Sequence, residues 1–163
     1  MYGALLSVKN AGPDDLASIR LAIAGGEALP QDTFDRFRER FNVRILEGYG
    51  LTETSPASNW STPDRNRRGA VGPALPDVRI VIVDEQGNVL PPHSEGEILH
   101  AGPRIMRGYF NLPDQTAEVF VDLKVDGHVE HRRFFRTGDI GKLDEEGYLY
   151  ITGRKKEMLI IGG

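Results

Sequence analysis

The chain has 163 residues, 39% of them apolar and 27% charged, with a formal net charge of −4, the composition of a globular protein large enough to bury a core. The negative balance argues against general nucleic-acid binding, which a basic face would serve, and the absence of cysteine excludes disulfides and thiolate metal sites. No stretch approaches the about 20 apolar residues that span a bilayer, and residues 1–6 carry neither a charged leader nor a long apolar run, so no membrane span, no signal peptide and a cytoplasmic location are expected.

In chain order, residues 1–10 read as a helix. Residues 19–24 form a short apolar run ended by Gly25-Gly26, the pattern of a buried strand. Pro30 opens a segment in which Phe34, Phe37 and Phe41 recur at intervals of three and four, an amphipathic helix. A second strand is expected over residues 43–46. Strand, helix, strand at this spacing is a βαβ unit with parallel pairing. A polar, turn-rich linker at residues 62–66 follows, and the pattern then changes to short strands and turns: residues 78–83, 96–100, and a hairpin turned at Asp144-Glu145-Glu146-Gly147. One further helix is expected near residues 114–120, behind Pro113. The class is therefore α/β: a partial parallel β-sheet with helices over residues 1–65, then a small β-barrel-like subdomain over residues 66–152.

Four groups of residues offer chemistry. Gly25, Gly26 and Glu27 stand at a strand-to-helix connection, where paired glycines let backbone approach a flat ligand; taken alone, they read as an ordinary turn. Tyr49-Gly50-Leu51-Thr52-Glu53 also follows a strand. Tyr49 offers a face for a purine, Gly50 a sharp turn, Thr52 a hydroxyl for a phosphate oxygen, and Glu53 a hard carboxylate for a magnesium ion that keeps most of its waters. On spacing alone Thr52 reads as a helix cap and Glu53 as its partner. Asp139, after Thr137-Gly138, presents two acceptor oxygens to a ribose diol, or is a turn aspartate. Arg154 is a cation at a strand end, where it also reads as a surface arginine.

Other polar residues carry less. His128 and His131 have a metal-like spacing but flank a predicted turn at Asp126-Gly127 with no third ligand, so they read as structural or exposed. The runs Arg65-Asn66-Arg67-Arg68 and Arg132-Arg133 read as solvated loop charge. Trp60 and Tyr109 read as packing residues.

The order Gly48-Tyr49-Gly50-Leu51-Thr52-Glu53-Thr54, then Arg136-Thr137-Gly138-Asp139, then Gly153-Arg154-Lys155-Lys156-Glu157 resembles the adenylate-forming (AMP-binding) superfamily from about residue 21 to the end. Gly69-Ala70-Val71-Gly72-Pro73 and Gly102-Pro103 with Met106, Gly108 and Tyr109 resemble its fatty acyl-CoA and acyl-ACP synthetase branch. The resemblance implies an ATP-dependent acid–thiol ligase, which joins a carboxylic acid to ATP as acyl-AMP and then passes it to coenzyme A or an acyl carrier protein. It also favours the site reading of Tyr49, Thr52 and Glu53 over the capping one. Tyr49 is implied to pack on adenine, with Thr52 on the adenylate phosphate and Glu53 on Mg2+. Asp139 is then implied to hold the ribose, with Arg154 as a second ribose or phosphate contact. Lys156 is implied to be a hinge within residues 153–163, about which a lid domain turns, and is not catalytic.

Two parts implied by the resemblance have no counterpart here: a Ser/Thr/Gly-rich phosphate loop before Gly25, and the lid with its lysine. A central portion with little or no activity alone is expected, with exposed sheet edges that favour self-association. An amino-acid or aryl-acid adenylation domain and a non-catalytic nucleotide-binding module remain as alternatives. The segment from Val125 to Arg133, where relatives place a shorter string, reads as an extended hairpin.

Overall fold

The computed structural model describes residues 1–125 and 128–156. Its first lobe is built on helix α2 (Gln31–Phe41), which lies between strands β1 (Ala22–Ala24) and β2 (Ile45–Tyr49). The Phe spacing seen in the sequence puts Phe37 and Phe41, 1% and 2% exposed, on one face against Ala22, Ile45 and Leu6 of helix α1 (Tyr2–Leu6). Burying each such side chain contributes about 1.5–3 kcal/mol. Asn42 closes α2 in the left-handed conformation, with φ 55°. The Arg40 guanidinium reaches back from the last turn of α2 to the Leu6 and Ala11 carbonyls, at 2.6 and 2.9 Å, and so ties down the N-terminal segment.

β1 and β2 pair in parallel, Ala22 opposite Ile45 and Ala24 opposite Glu47, as the βαβ reading requires. Both strands differ from their expected spans. β1 starts at Ala22, not residue 19, because only three residues find a backbone partner in β2; Ile19, Leu21 and Ile23 are left 41–53% exposed. β2 starts at Ile45, not residue 43, because the reversal at Asn42 carries the chain outward first, and it runs on to Tyr49. The short strand β3 (Asn59–Trp60) pairs antiparallel with its end, giving the order β1-β2-β3.

The second lobe is a curled antiparallel sheet of β4 (Arg79–Val83), β5 (Gly96–Ala101), β6 (Phe120–Val125), the long β7 (His128–Leu143) and β8 (Leu149–Arg154). β5 and β6 both pair with β7, and the hairpin at residues 144–147 folds β8 onto its end. β4 and β5 are nearly continuous apolar runs because both of their faces are covered. Val81, Val83, Leu99 and Phe134 fill one side, and Ile82, Ile98 and Leu149 the other. Helix α3 (Pro113–Glu118) is shorter than expected, since Phe120 already belongs to β6. β6 and β7 form the extended hairpin expected between Val125 and Arg133. Asp126 and Gly127, where the turn is expected, the side chains of His128, His131 and Arg132, and residues 157–163 lie outside the described residues.

The lobes are stitched by residues 71–75. The Val71 N–H donates to the Leu149 carbonyl at 2.9 Å, and the Leu75 N–H to Ser58 at 2.8 Å. The fully buried Asn59 donates through Nδ2 to the Gly72 carbonyl at 3.0 Å. Strands of both sheets thus end on one shared wall.

Candidate active site

The loops after β1 and β2 leave the carboxyl ends of parallel strands, where open α/β sheets bind ligands. Gly26, Glu27, Tyr49 and Gly50 of the first lobe face Asp139, Gly153 and Arg154 of the second across an open cavity of about 500 Å3. Gly50 is required there by a close approach: a Cβ would lie 1.9 Å from the Pro56 carbonyl oxygen.

The two lobes meet at one carboxylate. Asp139, 4% exposed, sits on β7 directly opposite Arg154 of β8. Its Oδ1 accepts from Arg154 Nε at 2.8 Å and its Oδ2 from the Tyr49 hydroxyl at 2.5 Å. Thr137 steers the turn before it, donating to the Ile98 carbonyl at 2.7 Å and accepting from the Asp139 N–H at 3.0 Å. Burial, reinforced by the Asp139 carboxylate, pushes the Tyr49 phenol well above its ordinary range, so it remains an O–H donor. A carboxylate oxygen can accept a second hydrogen bond besides the one each oxygen receives here.

Thr52 and Glu53 sit beyond Gly50 on a single 3-10 turn and do not line this cavity. Leu51 stands at the cap position, and Thr54 fills the partner role that spacing alone assigned to Glu53. The buried Thr54 hydroxyl accepts from the Leu51 N–H at 2.8 Å, and Thr52 is exposed. Glu53 is half-buried and its Oε1 accepts from the Tyr109 hydroxyl at 3.0 Å, leaving Oε2 without a donor among the described residues. Among those residues no cluster of three or more His, Asp or Glu side chains forms a metal cage. One accessible carboxylate still suits Mg2+, which keeps its waters and is held mainly through substrate phosphates. Gly25 precedes the cavity, and Lys156 is exposed past the end of β8.

Three features escaped the sequence reading. Tyr109, read as packing, is a partner of Glu53. His100 on β5 is fully buried edge-on to Tyr49, with ring centroids 5.7 Å apart and neither ring nitrogen hydrogen-bonded. Burial pushes its pKa down to about 4 against the opposing pull of Asp139, so the ring is neutral at pH 7. Glu97, also on β5 and 6% exposed, accepts from Arg136 Nη2 at 2.6 Å and from Lys155 Nζ at 3.1 Å. Burial raises its carboxyl pKa, but these two cations outweigh burial and hold it below the ordinary value. The one usable signal was charge at inward positions of an apolar strand, in Glu97 and His100.

Among described residues no helix is long and apolar enough to cross a membrane. A family profile described as AMP-binding enzyme matches residues 1–110. The chain is 36% identical to the long-chain-fatty-acid–CoA ligase of Bacillus subtilis over 154 residues, which cover 91% of this chain and 25% of that protein. It is 38% identical to the indoleacetate–CoA ligase of Aromatoleum aromaticum over 151 residues, covering 91% and 28%. The structure of ATP-bound MatB from Rhodopseudomonas palustris superposes with a TM-score of 0.83 at 37% identity, over 95% of this chain and 29% of that one. The chain thus spans about a quarter of the length of the relatives it matches. With two thirds of its length under the family profile and the fold shared throughout, the chain belongs to the AMP-binding enzymes.

Proposed function

We propose that this chain is the nucleotide-binding central portion of an ATP-dependent acyl-CoA or acyl-ACP synthetase. The observation that carries this is the Tyr49–Asp139–Arg154 contact, a buried carboxylate fixed from two sheets at the mouth of a cavity beside two glycine turns. In this reading adenine lies against Tyr49 and the Gly25-Gly26-Glu27 turn, and Asp139 accepts the ribose hydroxyls with Arg154 beside them. Thr52 holds the α-phosphate. Mg2+, when bound at Glu53, supplies charge neutralisation for the phosphates. The acid's carboxylate attacks the α-phosphorus, pyrophosphate leaves, and a thiol then displaces AMP to give the thioester. The chain's own share is to orient the nucleoside and α-phosphate so that attack is in line.

The domain reading follows: residues 1–65 carry the adenine and phosphate turns, residues 66–152 the ribose wall, and residues 153–163 a hinge at Lys156 leading to a lid. Alone, these residues are expected to turn over little. A cytoplasmic protein acting on a small acid fits this role, with self-association through the exposed edge around Ile23. The indoleacetate–CoA ligase likeness keeps an aryl acid as the second reading of the substrate.

The test is calorimetric titration with non-hydrolysable acyl-adenylates bearing fatty or aryl acyl groups, beside Asp139→Asn. The substitution keeps shape but removes charge, and is expected to weaken binding about 10- to 100-fold, the loss of a charge-assisted pair. Tight binding that Asp139→Asn leaves unchanged would refute the ribose assignment. Folded protein that binds no adenosine compound would refute the nucleotide reading.

A further inference from the structure

Glu53 is held from two sides by a loop that the site reading does not use. The Met106 N–H donates to the Glu53 main-chain carbonyl at 2.8 Å, and the Tyr109 hydroxyl donates to its side-chain Oε1 at 3.0 Å. Tyr109 is itself fixed from behind. Its N–H donates to Thr116 Oγ1 at 2.9 Å, and that hydroxyl donates on to the Leu112 carbonyl at 2.8 Å. The arrangement needs glycine at 108, where a Cβ would lie 2.6 Å from Thr116 Cγ2 and 2.9 Å from Thr116 Oγ1. Helix α3, the loop before it and the Glu53 turn therefore form one hydrogen-bonded unit that spans both lobes.

We propose that Tyr109 is a positioning residue for the divalent cation: its hydroxyl fixes the Glu53 carboxylate by one oxygen, so that the other would be available to hold the cation. The inference rests on the reading of Glu53 as the metal-binding carboxylate. A carboxylate on a one-turn segment otherwise rotates freely about its side-chain bonds, and ordering it on binding costs side-chain entropy. Tyr109 removes part of that cost in advance.

The test is Mn2+ binding, followed by electron paramagnetic resonance, to the 163-residue chain with ATP, against ATP alone. Wild type is compared with Tyr109→Phe, which deletes one hydroxyl, and with Glu53→Gln. Loss of one hydrogen bond at a charged acceptor predicts a three- to tenfold weaker Mn2+ affinity in Tyr109→Phe, with metal-free ATP affinity in EDTA unchanged. Glu53→Gln is expected to lose more, and combining the two changes to add little beyond Glu53→Gln. Mn2+ affinity of Tyr109→Phe within twofold of wild type, with Glu53→Gln impaired, overturns the inference while the Glu53 reading stands. Unimpaired Glu53→Gln, or a wild-type chain that adds nothing to Mn2+ binding by ATP, overturns both. Should Tyr109→Phe fail to fold by circular dichroism, Thr116→Val decides. It frees Tyr109 from behind, and an unchanged Mn2+ affinity in that folded variant overturns the inference equally.

Discussion

The two carboxylates of the candidate site are held by different kinds of structure. Asp139 lies in a sheet ladder, opposite Arg154 by strand register, 4% exposed, with an oxygen bound from each lobe. Glu53 stands half-exposed on one 3-10 turn, and its side chain is held by a single hydroxyl from a loop. A ladder fixes a side chain through many main-chain bonds, whereas a turn fixes it through few. The Asp139 end is thus set before any ligand arrives, and the Glu53 end is where geometry is left to be completed.

The largest expected effect comes from breaking the joint between these ends. Gly50 links β2, which carries Tyr49, to the turn that carries Glu53, and an added methyl meets the Pro56 carbonyl oxygen at 1.9 Å. Backbone cannot rotate away as a side chain can, so Gly50→Ala is expected to destabilise by about 4 kcal/mol or more. Urea denaturation checks this. A loss under about 1 kcal/mol would mean the turn gives way easily, and the distinction between a rigid ladder and a loosely held turn would sharpen accordingly.

The Asp139 end has a weakness of its own in His100, which packs against Tyr49. Its folded pKa is about 4, against 6.5 for the ordinary ring. The unfolded chain therefore takes up a proton at higher pH than the folded one. Stability from keeping the ring neutral is complete above pH 6.5 and is lost as pH falls toward 4, by about 3 kcal/mol in all. His100→Leu removes both the titration and two unpaired buried nitrogens, so its stability should be flatter over that window and no lower at pH 7. Denaturation midpoints at several pH values read this directly. An equally steep fall in His100→Leu would place the acid sensitivity elsewhere.

Much of the fold was legible because its signals are local. Phe34, Phe37 and Phe41 repeat within one helix, and the runs around β4 and β5 are apolar because both faces are covered. Strand ends were less legible: Ala22 opposite Ile45 is set by pairing across α2, which no local pattern encodes. The site divides the same way. Tyr49 to Glu53 is a contiguous string, so its place at a strand end could be read, although Tyr49 itself closes β2, and Asp139 stood out after Thr137-Gly138. The links between them could not. Tyr49 reaches Asp139 across 90 positions, Tyr109 reaches Glu53 across 56, and Lys155 reaches Glu97 across 58. Tyr109 in particular looks apolar in sequence, since nothing nearby says where its hydroxyl ends.

That last long-range link gives the smallest prediction, and it bears on whether the ladder's rigidity extends past its end. Lys155 follows Arg154 immediately, and its ammonium is tied to Glu97 beside Arg136. Glu97→Gln leaves an acceptor of the same shape but removes the charge that both cations face. Because Arg136 and Lys155 are 32% and 45% exposed, water replaces much of what is lost, and the cost is expected to be about 1–2 kcal/mol, below that of a fully buried pair. The local effect should exceed the global one. Amide hydrogen exchange at residues 153–156 is expected to quicken severalfold more than at the β4–β5 core, since the strand end loses the charge that holds Lys155 to β5. Uniform quickening would mean that Glu97 supports the whole sheet, and that the rigid ladder around Asp139 and the segment leading to Lys156 are one mechanical unit.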